Sequence, residues 1–284
     1  MIIGINTDLI EKRPFGGPNR SIEEMAKLCA DAGFKSLDYT PSFLREDWES
    51  AAAHDLEVLS KYGITVNQTH LPFNRYGKYD EYDFTELTMR CVRASKLVDA
   101  KFVVTHADEF RTVDHYDPKE IEDFEYERLV PVAEACEKMG MRLAIENVFE
   151  DSPRTCKVID GKCRFCSRIE ELIGLVTRFN SENVGICWDF GHAHVAFGEN
   201  MTAALEKAAK YLTVTHVHDN YYERDLHLAP LTGKVDWQAQ MRVLKESGYK
   251  GTFSLETVYG ALPDEIMPEY LVFLRHCAET VIAL

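Results

Sequence analysis

Eight short β-rich runs, each followed by a stretch with helical apolar spacing, leave a chain of 284 residues few ways to fold. The runs are MIIGINT, KSLDYT, ITVNQTH, KFVVTH, MRLAIEN, VGICWD, LTVTHVH and GTFSLE. Between them, SIEEMAKLCADAG starts at Ser21 with Glu24 three residues on, the pattern of a capping box, and ends at Gly33. WESAAAHDLEVLSKYG ends the same way at Gly63. FTELTMRCVRASKLVDA, LVPVAEACEKMG, SRIEELIGLVTRF, MTAALEKAAKYL, VDWQAQMRVLKESG and EYLVFLRHCAETVIAL complete the predicted helices. Ile169, Leu172, Ile173 and Val176 show the clearest one-sided helical spacing. Right-handed crossovers close eight such units into a parallel sheet, so the expected fold is α/β, a single (β/α)8 barrel domain over residues 1–284. No Pro/Gly/Ser linker or shift in composition divides the chain. A doubly wound open sheet would want a glycine-rich phosphate turn after its first strand, and NTDLIEKRPFGG does not supply one.

Six of the eight runs end on a side chain capable of metal binding or acid–base work: His70, His106, Glu146, Asp189, His216 and Glu256. Asp, Glu and His make up about one residue in five, so this concentration at the strand ends points to a site, because barrels of this kind build their active sites there. His192 follows Asp189 by three residues across Gly191, a spacing that predicts a tight turn. Asp225 and His227, in DLHLAPLTGKVDW, point the same way if that loop is extended. Carboxylates converging on one barrel mouth repel one another and take up protons unless a cation neutralises them. Mixed Glu, Asp and His donors suit Zn²⁺, Mn²⁺, Co²⁺ or Fe²⁺, whereas Ca²⁺ and Mg²⁺ prefer all-oxygen shells.

The formal charge of −15 weighs against a surface that tracks nucleic-acid phosphates. The bases of the expected mouth loops are scattered: Lys12, Arg13, Arg75, Lys78 and Arg224. The start MIIGINTD lacks the pattern of a secretory signal, and no apolar run reaches the ~18 residues of a membrane span. A cytoplasmic protein without membrane contact is therefore expected. Its eight cysteines are then expected to stay reduced. Cys156, Cys163 and Cys166 match no zinc spacing. His54 and His276 fall on predicted helices and His115 in an acidic loop, where surface or structural roles are expected.

The ordered set HLPFN, THADE, AIENV, WDFGH, THVHDN, DLHLAPLTGKVDW and SLET resembles the xylose-isomerase-like barrel superfamily along nearly the whole chain. That superfamily contains sugar isomerases and epimerases as well as apurinic endonucleases of the endonuclease IV type (AP endonuclease family 2). Similarity to the ketose 3-epimerase and isomerase branch implies one divalent ion on Glu146, Asp189, His216 and Glu256, with both glutamates also serving as acid and base. Similarity to the endonuclease branch implies three zinc ions on nine residues, which adds His70, His106, His192, Asp225 and His227. The resemblance also admits a homodimer.

The reading drawn from these residues is a metal-dependent isomerase or epimerase, with Zn²⁺ or Mn²⁺, acting on a small keto-sugar or keto-polyol through an enediolate. Glu146 and Glu256 are its expected catalytic pair. Tyr76, His192 and His218 are candidate substrate contacts, His194 a supporting residue, and Tyr79, Tyr82 and Phe84 candidate parts of a lid. Trp188 is expected in the core. The alternatives are an endonuclease IV-type zinc-dependent phosphodiester hydrolase, opposed by the charge, and a noncatalytic metal- or sugar-binding barrel, opposed by the paired glutamates.

Overall fold

A computed structural model describes residues 1–110, 116–150, 164–257 and 262–284. Eight parallel strands form one closed barrel in sequence order. They are β1 (Ile2–Asn6), β2 (Ser36–Asp38), β3 (Thr65–His70), β4 (Phe102–Thr105), β5 (Arg142–Glu146), β6 (Val184–Asp189), β7 (Leu212–Val217) and β8 (Thr252–Leu255). The outer helices are α1 (Asp8–Glu11), α2 (Ile22–Asp31), α3 (Trp48–Lys61), α4 (Phe84–Leu97), α5 (Pro118–Lys138), α6 (Ile169–Arg178), α7 (Phe190–Phe197), α8 (Met201–Ala208), α9 (Trp237–Glu246) and α10 (Met267–Ala283).

Local signals set the helix ends as anticipated. Ser21 and Glu24 form a reciprocal capping box at the start of α2. Gly33 and Gly63, with φ of +88° and +66°, occupy the left-handed conformation that ends α2 and α3. Two elements depart from the sequence pattern. α5 starts at Pro118, well before LVPVAEACEKMG, and its first turn is capped by Asp117. WDFGHAH is not a turn: Asp189 caps the start of α7, accepting from the His192 N–H at 2.6 Å. His192 and His194 therefore sit on a helix that the apolar run leading into it had hidden.

The main core lies between sheet and helices and contains Trp188, which is fully buried and stacks on Phe197. A second, smaller cluster fills the barrel interior: Val104, Ala144, Cys187 and Val214. Side chains two apart on a strand share a face. His106, Glu146, Asp189 and His216 are each two residues beyond a member of this plug, so they stand directly above it. Asp38 and Glu256 repeat the relation above Ser36 and Ser254. The apolar plug thus serves as the floor on which the polar ring is built.

Candidate active site

Glu146 is the hub of the ring. Its Oε2 lies 3.2 Å from His70 Nε2 and 3.5 Å from His106 Nε2, while Oε1 lies 3.0 Å from His216 Nδ1 and 3.3 Å from His192 Nδ1. Glu256 Oε2 approaches the same His216 Nδ1 to 3.0 Å. Asp189 Oδ1 meets His218 Nε2 at 3.1 Å. Asp225 Oδ2 is 2.9 Å from His227 Nε2 and 3.6 Å from His192 Nε2, and its Oδ1 is 3.5 Å from His218 Nε2. The rings of His218 and His227 stack at 3.9 Å. His227 has φ +46°, so the D-x-H pair converges through a left-handed kink rather than through extended alternation.

These side chains fall into sets whose donor atoms lie within 4.8 Å of one another: His70, His106 and Glu146; Glu146, Asp189, His216 and Glu256; Glu146, Cys187 and His216; and His192, His218, Asp225 and His227. Above them opens a cavity of about 490 Å³ lined by Asn6, Asp8, Phe43, Phe73, Tyr76, Lys78, Tyr79, Phe149, Arg164 and the ring residues Asp38, His70, His106, Glu146, His192, Asp225, His227 and Glu256. A larger cavity, about 850 Å³, lies at the opposite end of β5 to β7 around Arg142 and Tyr211, away from this ring. The donor sets border the mouth cavity and not the larger one.

Residues 26–277 match the model of the xylose isomerase-like TIM barrel. The chain belongs to the xylose isomerase-like TIM barrel family. The uncharacterized protein MJ1311 of Methanocaldococcus jannaschii is 25% identical over 270 residues, covering 84% of this chain and 88% of that protein. A solved D-psicose 3-epimerase, determined in the presence of D-fructose, superposes with a TM-score of 0.78 at 14% identity over 100% of both chains. The IOLI protein with a binding zinc atom superposes at 0.72 with 18% identity, covering 100% of this chain and 98% of that one. At such identities these likenesses establish the fold.

The electrostatics of this xylose isomerase-like barrel are those of buried carboxylates and imidazoles that shift one another's protonation. Burial pushes the Glu146 carboxyl up, but the imidazoles of His216, His106 and His192 outweigh it and hold the group well below the carboxylate range. Glu256 is held low against burial by His216. Burial opposes charge on His192, His216 and His227, yet neighbouring acids hold the first two well above the usual histidine value and His227 at about 9. Even so, Asp189 Oδ2 and His218 Nδ1 are buried without a hydrogen-bond partner among the described residues. Buried polar atoms left in that state cost about 1–3 kcal/mol each. Nitrogen and oxygen donors at these spacings could hold a divalent metal ion.

The mouth loops hold some expected residues and not others. Tyr76 and Tyr79 line the cavity, whereas Tyr82 does not and is half exposed; Phe84 stacks on Tyr79 from behind. His218 is fully buried beneath the cavity wall, in the fourth donor set rather than on the lining. His194 packs on Tyr222 and meets Asn220 Oδ1 at 2.5 Å, behind the ring. His54 lies on α3, paired with Glu23, and His276 on α10. Cys29, Cys91, Cys136, Cys166, Cys187 and Cys277 are free and buried. Cys156, Cys163 and His115 lie outside the described residues.

Two contributors had been missed. Arg164, buried at the mouth, donates from Nε to Asp108 Oδ2 at 2.6 Å and lies over the Phe149 ring. No periodic signal marks a loop arginine. Asp38, at the end of β2, contacts His216; its position at the end of KSLD was the available signal. Among the described residues no helix is long and apolar enough to cross a membrane.

Proposed function

We propose that this protein is a divalent-metal-dependent sugar isomerase or epimerase, acting on a small keto-sugar or keto-polyol. The observation that carries the reading is the convergence of Glu146 and Glu256, each 3.0 Å from Nδ1 of His216, at the foot of a cavity large enough for a small sugar. The fold similarity to a D-psicose 3-epimerase supports it. Glu146, Asp189, His216 and Glu256 would hold the ion, Zn²⁺ or Mn²⁺, whose charge would stabilise negative charge developing on the substrate's oxygens.

The chain's own part is proton movement and enclosure. One glutamate takes the proton from the carbon beside the carbonyl, and the C–H electron pair enters the enediolate double bond. The other glutamate returns a proton to the opposite face of that carbon, which inverts it, or the proton goes to the neighbouring carbon, which isomerises the sugar. The isomerising route also passes the hydroxyl proton from one oxygen to its neighbour, and neither route consumes an oxidant or a second substrate. Tyr76 and His192 are the proposed substrate contacts at the wall, with Phe73 and Phe149 as apolar surface for a sugar's C–H face. His70, His106, Asp225 and His227 are proposed further ligands, and His218 joins them because its donor faces Asp225.

The several donor sets also favour a second reading, a zinc-dependent phosphodiester hydrolase of the endonuclease IV type. Against it stand the charge of −15 and the sparse bases of the mouth, where Lys78 and Arg164 are the lining cations among the described residues. The deciding experiment is NMR of a ketose panel with metal-loaded protein in D₂O. Loss of the carbon-bound proton beside the carbonyl, abolished in Glu146→Gln or Glu256→Gln, is expected. No exchange on any sugar together with nicking of abasic DNA would overturn the sugar reading.

A further inference from the structure

Asp38 belongs to none of the donor sets, yet it touches the ring at its centre. Its Oδ2 lies 2.9 Å from His216 Nε2, and the two side chains are 1% and 0% exposed. Gln68 Nε2 donates to the same oxygen at 3.2 Å. The β2–β3 ladder explains why Gln68 meets Asp38. Leu37 pairs with Val66 but Asp38 pairs with Gln68, a register shift that skips Asn67. Without that irregularity Asp38 would sit opposite Asn67 rather than Gln68.

The two nitrogens of His216 therefore face different partners. Nε2 is engaged by Asp38, and Nδ1 is directed at Glu146 and Glu256. A neutral imidazole carries one N–H, and the partner of that N–H decides which nitrogen keeps a bare lone pair. We propose that Asp38 is the positioning residue for His216: by accepting the Nε2–H it leaves Nδ1 bare and aimed between Glu146, Asp189 and Glu256. The inference rests on reading that set as a metal site. Asp38 acts through the ring, fixing its rotation and raising the basicity of Nδ1, and has no direct part in proton transfer. Gln68 in turn holds the carboxylate in line.

The test is zinc affinity, measured by competition with a chromophoric chelator on chelator-stripped full-length protein, alongside thermal melting of the stripped protein. Asp38→Ala is expected to weaken zinc binding about 10- to 100-fold. Asp38→Asn preserves the size of the side chain and can still pair with the ring, so it keeps the test available if the alanine variant does not fold. It is expected to weaken zinc binding by about 10-fold at the lower end of that range. A purely structural role would lower the melting temperature of stripped protein and leave zinc affinity unchanged. Folded variants that bind zinc as tightly as the unsubstituted protein overturn the proposal. If the unsubstituted protein binds no zinc, the metal site and this inference fall together. If it binds zinc and Asp38 matters but no sugar exchanges, the sugar reading fails while Asp38 keeps its role.

Discussion

Nδ1 of His216 lies 3.0 Å from Oε1 of Glu146, and Glu146 is shared by three of the four donor sets in the barrel mouth. Glu256 belongs to one. The two glutamates proposed to share the proton transfer therefore differ in what else depends on them. Glu146→Gln is expected to lower both bound metal per chain and sugar turnover. Glu256→Gln is expected to lower kcat about 100- to 10,000-fold with a smaller loss of metal. Elemental analysis of purified variants, paired with initial rates on the sugar found by exchange, checks this. Equal metal loss in both would contradict the hub role of Glu146.

Gly191 is the residue that lets His218 reach the ring. A Cβ there would lie 1.7 Å from His218 Cε1, a contact that forces the imidazole out of its stack on His227. Gly191→Ala is expected to cost about 1–3 kcal/mol in stability and to reduce metal held by His218, Asp225 and His227. Denaturant unfolding and metal counting report the two effects separately.

Removing the metal should leave a characteristic pH dependence. In stripped protein, His227 has its pKa raised from 6.5 to about 9, with Asp225 outweighing the opposing effect of burial. The folded state then holds a proton that the unfolded chain releases. The stabilisation is complete below about 6.5 and is lost as pH rises through about 9. His192 and His216 shift in the same direction. Thermal melts of stripped protein should therefore fall across this window. Metal-loaded protein should show a weaker fall, because bound ligands no longer carry those protons. A stripped protein whose melting temperature rises over the same interval would refute the proposed charge arrangement.

Glu109 provides a second pH effect, distinct from the proposed metal ligands. It links two mouth loops by accepting the Asn74 N–H at 2.7 Å. Burial pushes its carboxyl from 4.5 up to about 7, despite the opposing pull of Arg128. Folding then favours the protonated form, so stability falls as pH rises from about 4.5 through about 7, by roughly 3 kcal/mol at most. Glu109→Gln is expected to abolish this component while keeping an acceptor for Asn74, leaving the variant more stable than its parent at pH 8. Denaturant midpoints at pH 5 and pH 8 check it.

The strand-end ring was legible in sequence because its cause is local. Val104 and His106, Ala144 and Glu146, Cys187 and Asp189, and Val214 and His216 are each two residues apart, and alternation alone puts the members of each pair on one face. The capping box of Ser21 and the left-handed Gly33 and Gly63 are local in the same sense. By contrast, α7 was invisible. Its residues Phe190 to Phe197 are apolar enough to continue the strand, and Asp189 is at once its N-cap and the last residue of β6.

The sequence by itself determined the eight-unit barrel, the end of the barrel where acids and imidazoles gather, and most of the residues gathered there. It could not determine their partners. Asp38 reaches His216 across 178 positions of chain, and Gln68 reaches Asp38 through a one-residue register shift between β2 and β3. His218 joins Asp225 because Gly191 leaves room for its ring, and Arg164 reaches the mouth from a loop without periodicity. Face and period are properties of a few neighbouring residues. Which imidazole meets which carboxylate depends on barrel closure, strand stagger and loop packing, and these are decided only when distant segments compete for the same space.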